Sequence, residues 1–429
     1  MKIHLPRGAL GLLLLTSLVG TTAHAEESAP TVAEGKLPLD AGVSIWTRYE
    51  LRDGYDELGR SRARFLEGDF FVYRARLSLV SKPLAIGNSG FSTKVVFTPQ
   101  ASGFWGNLQG TVATPTLGIY EGYLSLIGPE LRLDVGHFAM NYGDAVVIGD
   151  LRWHQTARSF DGARLRVGSG NTWVDGFFTV LGDGLSNGNL SVLGGDFLFA
   201  GAYGSLGGLI SGATVLEPYL LSQIWVADDA SGRPAVQMTA GARFLQKLGI
   251  IDLRAEAGLQ FGRRRLSSGD NPEVFAYHAD LEVGFVAAPG LRLSAEVLFA
   301  SGDDRTSDNL ESWDELFPTT HKFLGLMDII GIRSNIASGV IHAKYGTGPF
   351  LFKFDLHGFV RPETFEGQSS FAGVEGDLNV IFKLTKGMTV RGLYALFIPG
   401  SDHFVSFEGT PGASDRIAHY VEIQYGLQL

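Results

Sequence analysis

The chain has 429 residues, 57 of them glycine, with 11% aromatics and no cysteine, which excludes a disulfide framework and any thiol chemistry. A formal net charge of −10, with no basic run longer than Arg263–Arg265, argues against nucleic acid as a partner. Such a length would ordinarily mean two or three soluble domains, but the glycine and aromatic content and the lack of a long helical pattern point to one large all-β unit.

Residues 1–25 read as a secretory signal. Lys2, His4 and Arg7 give a positive start, Ala9–Val19 an apolar middle, and Ala23-His24-Ala25 a small-x-small cleavage site. The apolar run is too short to cross a bilayer as a helix. Residues 26–41, with Pro30 and Pro38, are expected to form a periplasmic lead-in, and 42–429 the folded unit.

From Gly42 the hydropathy alternates with period two. Val43, Ile45, Tyr49 and Leu51 share one face, and Ser44, Arg48, Glu50 and Arg52 the other. Further on, Ile251, Leu253, Leu259 and Phe261 oppose Asp252, Arg254, Glu256 and Gln260; Phe275, Tyr277, Leu281 and Val283 oppose His278, Asp280 and Glu282. Runs this long suit tilted strands crossing a membrane, which need about 9–11 residues. Roughly 18 such runs occur, an even number as in bacterial single-chain barrels. Their connections alternate between short ones, such as Gly168–Asn171, Ala288–Gly290 and Lys383–Gly387, and long ones, above all 137–160 and 301–334. Sandwiches have no reason to sort loops by end. The expected fold is therefore an all-β, transmembrane, antiparallel up-and-down barrel of about 18 strands in the bacterial outer membrane, ringed by outer-membrane lipid. Residues 420–429 end it with Val421, Ile423, Tyr425, Leu427 and Leu429 on one face. They resemble the terminal strand that barrel-assembly machinery recognises, with Leu429 where an aromatic is usual.

If the apolar face meets lipid, the polar face lines the lumen. The early strands place Arg48, Arg52, Arg74, Arg76, Lys94, Arg132, Arg164 and Arg166 there, against the acids Glu50, Glu121, Asp134 and Asp175. A wall of Arg and Lys is one way a pore favours anions. Later strands add more acid than base, so the alternative is a set of paired charges that packs the interior without selecting anything.

Two blocks carry a family resemblance. One runs from Gly136 to Leu165, with Tyr142-Gly143-Asp144, Trp153, Arg158 and Phe160-Asp161-Gly162. The other runs from Ser301 to Asn335, with Ser301-Gly302-Asp303-Asp304, Leu316-Phe317-Pro318, His321, Gly325 and Met327-Asp328. In residue types and order these resemble the alginate-export family of outer-membrane barrels. The resemblance implies an 18-stranded barrel with an electropositive constriction, an outer loop folded inward, and a long periplasmic loop before the last two strands. Here that last connection, Leu384–Gly387, is a tight turn, so the inner gate is missing and a more open channel is expected.

Within these blocks, Asp144, Asp150, Arg152, Arg158 and Asp161 are expected to brace the loop rather than line a constriction. His321 and Asp328 are expected to pair. Asp303 and Asp304, with Asp308, could hold a divalent cation, but their spacing does not match a twelve-residue calcium loop, and a solvated loop tip is the favoured reading. No metal, cofactor or catalytic motif is expected. The leading expectation is passive passage of an anionic polysaccharide or a smaller anionic or sugar-like solute through a monomeric barrel. The alternatives are a general diffusion porin and a loop-plugged structural barrel.

Overall fold

A computed structural model describes residues 39–55, 68–105, 116–182, 196–207, 213–226, 235–266, 270–364, 368–400 and 416–429, with 404–405 and 411–412. The readings of 1–25 as a signal and of 26–38 as a lead-in fall outside these residues.

Eighteen antiparallel strands close into a barrel. In chain order they are β1 Leu39–Asp53, β2 Gly68–Ser81, β3 Ser92–Trp105, β4 Thr116–Ile127, β5 Leu131–Phe138 and β6 Phe160–Ser169. They continue with β7 Thr172–Gly182, β8 Phe197–Leu206, β9 Thr214–Trp225, β10 Ala235–Leu248, β11 Ile251–Arg263 and β12 Glu273–Ala288. The last six are β13 Leu291–Ala300, β14 Ile336–Thr347, β15 Phe350–Val360, β16 Phe371–Thr385, β17 Met388–Pro399 and β18 Ala418–Gln428. Each pairs with its neighbours in sequence, and β18 pairs back onto β1, Ile45 opposite Leu427 and Leu51 opposite Val421. Closure leaves no free edge, so every ladder group is satisfied inside the bilayer. Leu84–Ala85 forms one short extra strand against Ser92–Thr93. The first strand begins at Leu39, three residues ahead of the boundary that alternation suggested at Gly42.

The alternation decides which face meets lipid. On β12, Phe275, Tyr277, Leu281 and Val283 are exposed on the outside, while Ala276, His278 and Asp280 are buried inside. On β15, Phe352, Phe354 and Leu356 face out, and His357 and Phe359 face in. An apolar exterior around a polar interior is the pattern of an outer-membrane barrel, and this places the chain in the bacterial outer membrane. Strand ends sort as expected. Two-residue turns at 170–171, 249–250, 289–290, 348–349 and 386–387 close one end, taken as periplasmic, and long connections close the other.

Two of those long connections, 139–159 and 301–335, turn back into the barrel. They meet in a parallel bridge between Ile148 and Phe317. The Gly149 N–H donates to Phe317 O at 2.7 Å, the Phe317 N–H to Val147 O at 3.0 Å, and the Thr319 N–H to Ala145 O at 2.8 Å. Met140, Tyr142, Val146, Val147 and Ile148 from one loop, and Trp313, Phe323, Leu324, Met327 and Ile329 from the other, pack against inward wall residues such as Phe160, Phe199, Tyr203 and Phe359. The result is a hydrophobic core inside the lumen of a barrel wide enough to leave a water-filled channel. All seven non-glycine residues with positive φ among the described residues lie in these two loops: Ala145, Leu151, Ala157, Arg305, Leu316, Asp328 and Asn335. Each such conformation costs of order 1–3 kcal/mol and persists only where surrounding contacts enforce it.

Candidate functional site: the lumen beneath two inward loops

The arginines of β1–β6 face inward, as the alternation predicts. What they touch differs from a free basic wall. Arg48 is buried, its Nε 2.6 Å from Glu50 and 3.8 Å from Glu422, and its Nη1 donates to Trp153 O at 2.9 Å. Arg52 shares Glu50 at 2.6 Å. Arg74 Nη1 donates to Arg152 O at 2.8 Å and to His154 O at 3.1 Å. Arg76 bonds Gln100 at 2.7 Å and lies 3.4 Å above the Tyr120 ring. Arg132 and Arg164 both take Asp134, at 2.8 and 2.7 Å. Arg166 makes a two-pronged contact with Asp175, at 2.6 and 2.8 Å, and Asp175 also accepts from the Tyr142 hydroxyl at 2.8 Å. Glu121 opposes the inward Thr98 at a register shift. Lys94 shares that inward face, and among the described residues it is in no ion pair. Three of the four predicted acids, Glu50, Asp134 and Asp175, thus pair with five of the eight predicted bases without cancelling all their charge, and Arg48, Arg74 and Arg164 spend hydrogen bonds on carbonyls of the 139–159 loop.

The loop residues divide more sharply. Asp144 braces: Arg243 Nη2 lies 2.7 Å from its carboxylate and Lys322 Nζ 3.2 Å. Burial works against its ionised form, yet Lys322 and Arg243 outweigh it and hold the carboxyl below the ordinary aspartate range. Arg158 donates to Gly149 O and Pro318 O, both at 3.2 Å, and so staples one loop to the other. His321 Nδ1 and Asp328 pair at 3.0 Å as expected, and the His321 ring stacks on Trp153 with centroids 4.1 Å apart. Asp303 and Asp304 cap their own turns, accepting from the Arg305 and Thr306 N–H groups at 2.9 and 2.8 Å. Asp161 is the exception. Its neighbour Phe160 takes the inward position, so Asp161 lies on the outer face and pairs with His137 at 2.8 Å instead of bracing the loop.

Below the loops, toward the short-turn end, opens a cavity of about 470 Å³. Asp144, Trp153 and His321 line it; none of the early-strand arginines does. Its cations are Arg152 and Lys322 from the loops and Lys353 and Arg391 from β15 and β17. The acids beside them, Asp144, Asp150 and Asp355, are engaged by Arg243, Arg152 and His342 at 2.7, 2.5 and 2.6 Å. Lys322 carries no sequence signal of its own: it sits in an irregular loop whose inward path only the tertiary contacts reveal. Lys353 follows the inward register of its strand.

Scans against family models and against curated proteins find no match. The barrel is similar to solved structures. These include the outer membrane protein OpdK from Pseudomonas aeruginosa, at 14% identity over 91% of this chain and 99% of that one with a TM-score of 0.61. Acinetobacter baumannii OccAB3 is 12% identical, with the same coverage and TM-score. P. aeruginosa OpdK with vanillate is 13% identical over 91% and 98%, at TM-score 0.60. At these identities the likeness is one of fold, and the fold is that of a transmembrane barrel of the outer membrane.

Proposed function

We propose that the chain forms a passive outer-membrane channel for small solutes, of the diffusion-porin kind, with a preference for anions. The observation that carries this reading is the cavity beneath the two inward loops. Four cationic side chains line it: Arg152 is tied to Asp150, Lys322 to Asp144 and Arg391 to Glu422, while Lys353 is in no ion pair among the described residues, and Arg243 and His342 also engage Asp144 and Asp355. Rings and walls of Arg and Lys favour anions where water fills the pore. One structurally similar barrel, OpdK, has been solved with vanillate, a small organic anion, which agrees with a small-solute path.

Passage of an anionic polysaccharide, as in the alginate-export family, has less support. Two loops with a hydrophobic core occupy the lumen, and the Lys386–Gly387 turn stands where that family carries a long periplasmic loop. The proposed channel is a non-enzymatic monomer without cofactor, surrounded by outer-membrane lipid and inserted through recognition of 420–429 by the assembly machinery. The deciding test is the zero-current potential of the refolded barrel in a planar bilayer under a KCl gradient. A potential of anion-selective sign is expected; a cation-selective or zero potential would remove the anion preference, and no conductance would remove the channel.

A further inference from the structure

On the inner wall of β14 and β15, Lys344 and Lys353 stand directly opposite each other in the strand register. Both point inward. On β14, Ile341 and Tyr345 take the outward positions, and His342 reaches across the inner face to Asp355 at 2.6 Å. On β15, Phe352 and Phe354 face out, leaving Lys353 in the cavity. Like charges directly opposite on neighbouring strands destabilise a sheet. Here the usual remedy is missing: among the described residues neither amine is in an ion pair, and the adjacent Asp355 is turned to His342.

Two further cations line the cavity that Lys353 enters. Arg391 lines the cavity with Nη1 3.4 Å from Glu422, and its Nε has no hydrogen-bond partner among the described residues. Lys322 enters from the loop above. Asn379, directly opposite Lys353 on β16, is buried, and its Oδ1 has no partner among the described residues. We infer that Lys344 and Lys353, with Arg391, form a binding step for a small dianionic oxyanion on the short-turn side of the two inward loops. A doubly charged oxyanion would give each amine an acceptor and relieve their mutual repulsion, and the Arg391 guanidinium adds positive charge beside them. A monoanion satisfies only one amine. Inorganic phosphate and short dicarboxylates share the required chemistry.

This inference deepens the channel reading and rests on it for its role, yet the site is testable without transport. The experiment is titration calorimetry on the refolded barrel at mildly alkaline pH, with inorganic phosphate, succinate and acetate at matched ionic strength, and KCl conductance measured on the same preparation. Phosphate, succinate or both are expected to bind more tightly than acetate, and Lys353→Gln is expected to weaken that binding about tenfold, with Lys344→Gln as an independent variant. Binding of phosphate alone or succinate alone would support the site and assign the ligand. Acetate binding as tightly as either, no binding, or binding unchanged in both variants would overturn it. A barrel that binds dianions but passes no KCl current would keep the site and sink the channel; one that conducts and does not bind would do the reverse.

Discussion

The two inward loops are held by different balances of donors and acceptors. The β1–β6 arc grips the 139–159 loop with donors: Arg48 on Trp153 O, Arg74 on Arg152 O and His154 O, and Gln100 on Thr156 O at 2.9 Å. β11 and β16 grip the 301–335 loop mostly with acceptors, although Gln260 Nε2 also donates to Asp314 O at 2.7 Å and the Tyr55 hydroxyl to Met327 O at 3.0 Å. Glu375 takes the Met327 N–H at 2.8 Å, Asp377 the Leu326 N–H at 3.2 Å, and Gln260 Oε1 the Asp314 N–H at 2.8 Å. A backbone without a ladder partner exposes carbonyls and amides that must each be paired when buried. The wall's charge asymmetry, basic early and acidic late, matches which backbone groups each loop presents. A charged lumen can therefore be a set of anchors before it is a selectivity filter.

The largest expected effect comes from breaking the acceptor side at its tightest approach. Gly325 has φ of 88°, and a Cβ there would run into the Glu375 carboxyl. Gly325→Ala should lift the loop from the wall at a cost of about 2–4 kcal/mol, read as a lower unfolding midpoint and a higher, noisier conductance. On the donor side, Arg74→Ala leaves two loop carbonyls unpaired. The expected loss is about 1–3 kcal/mol, with faster proteolysis within 139–159. Glu375→Gln sharpens the contrast: it keeps an acceptor for Met327 while removing one of two neighbouring buried carboxyls, and unfolding should move by less than about 1 kcal/mol.

Acid gives a graded version of the same experiment. Because the folded pKa of Asp144 is lowered, its tie to Arg243 and Lys322 is fully present above the unfolded aspartate value and is lost only as pH falls through the lowered folded value. Conductance noise that rises in acid in the wild type, and is already raised and pH-independent there in Asp144→Asn, is expected. The smallest effect belongs to Asp161→Asn on the outer face, within about 0.5 kcal/mol and without a change in conductance.

Much of this was legible in the chain. Period two and the sorting of connections by length lead to a closed barrel, and the predicted strands are present with shifts of a few residues at their ends. Same-strand pairs two residues apart, such as Arg48 with Glu50 and Arg132 with Asp134, lie on one face by the same rule. That parity also puts Asp161 outside with Ala163 and Leu165; grouping it with the loop motif hid this. What alternation does not encode is where irregular segments travel. Arg243 reaching Asp144 across 99 residues, and Lys322 reaching it across 178, are set by the docking of loops on a wall already formed. The carbonyl contacts of Arg48, Arg74 and Arg164 follow from the same docking, since those carbonyls belong to a folded loop.

The bridge between Ile148 and Phe317 joins chain segments that leave the sheet after β5 and after β13. It works like a spoke across a hoop. A hollow cylinder of strands flattens easily under uneven lateral pressure, whereas one tied across its diameter keeps a round bore. In bilayers of different thickness such a barrel is expected to tilt or to distort the surrounding lipid rather than to squash.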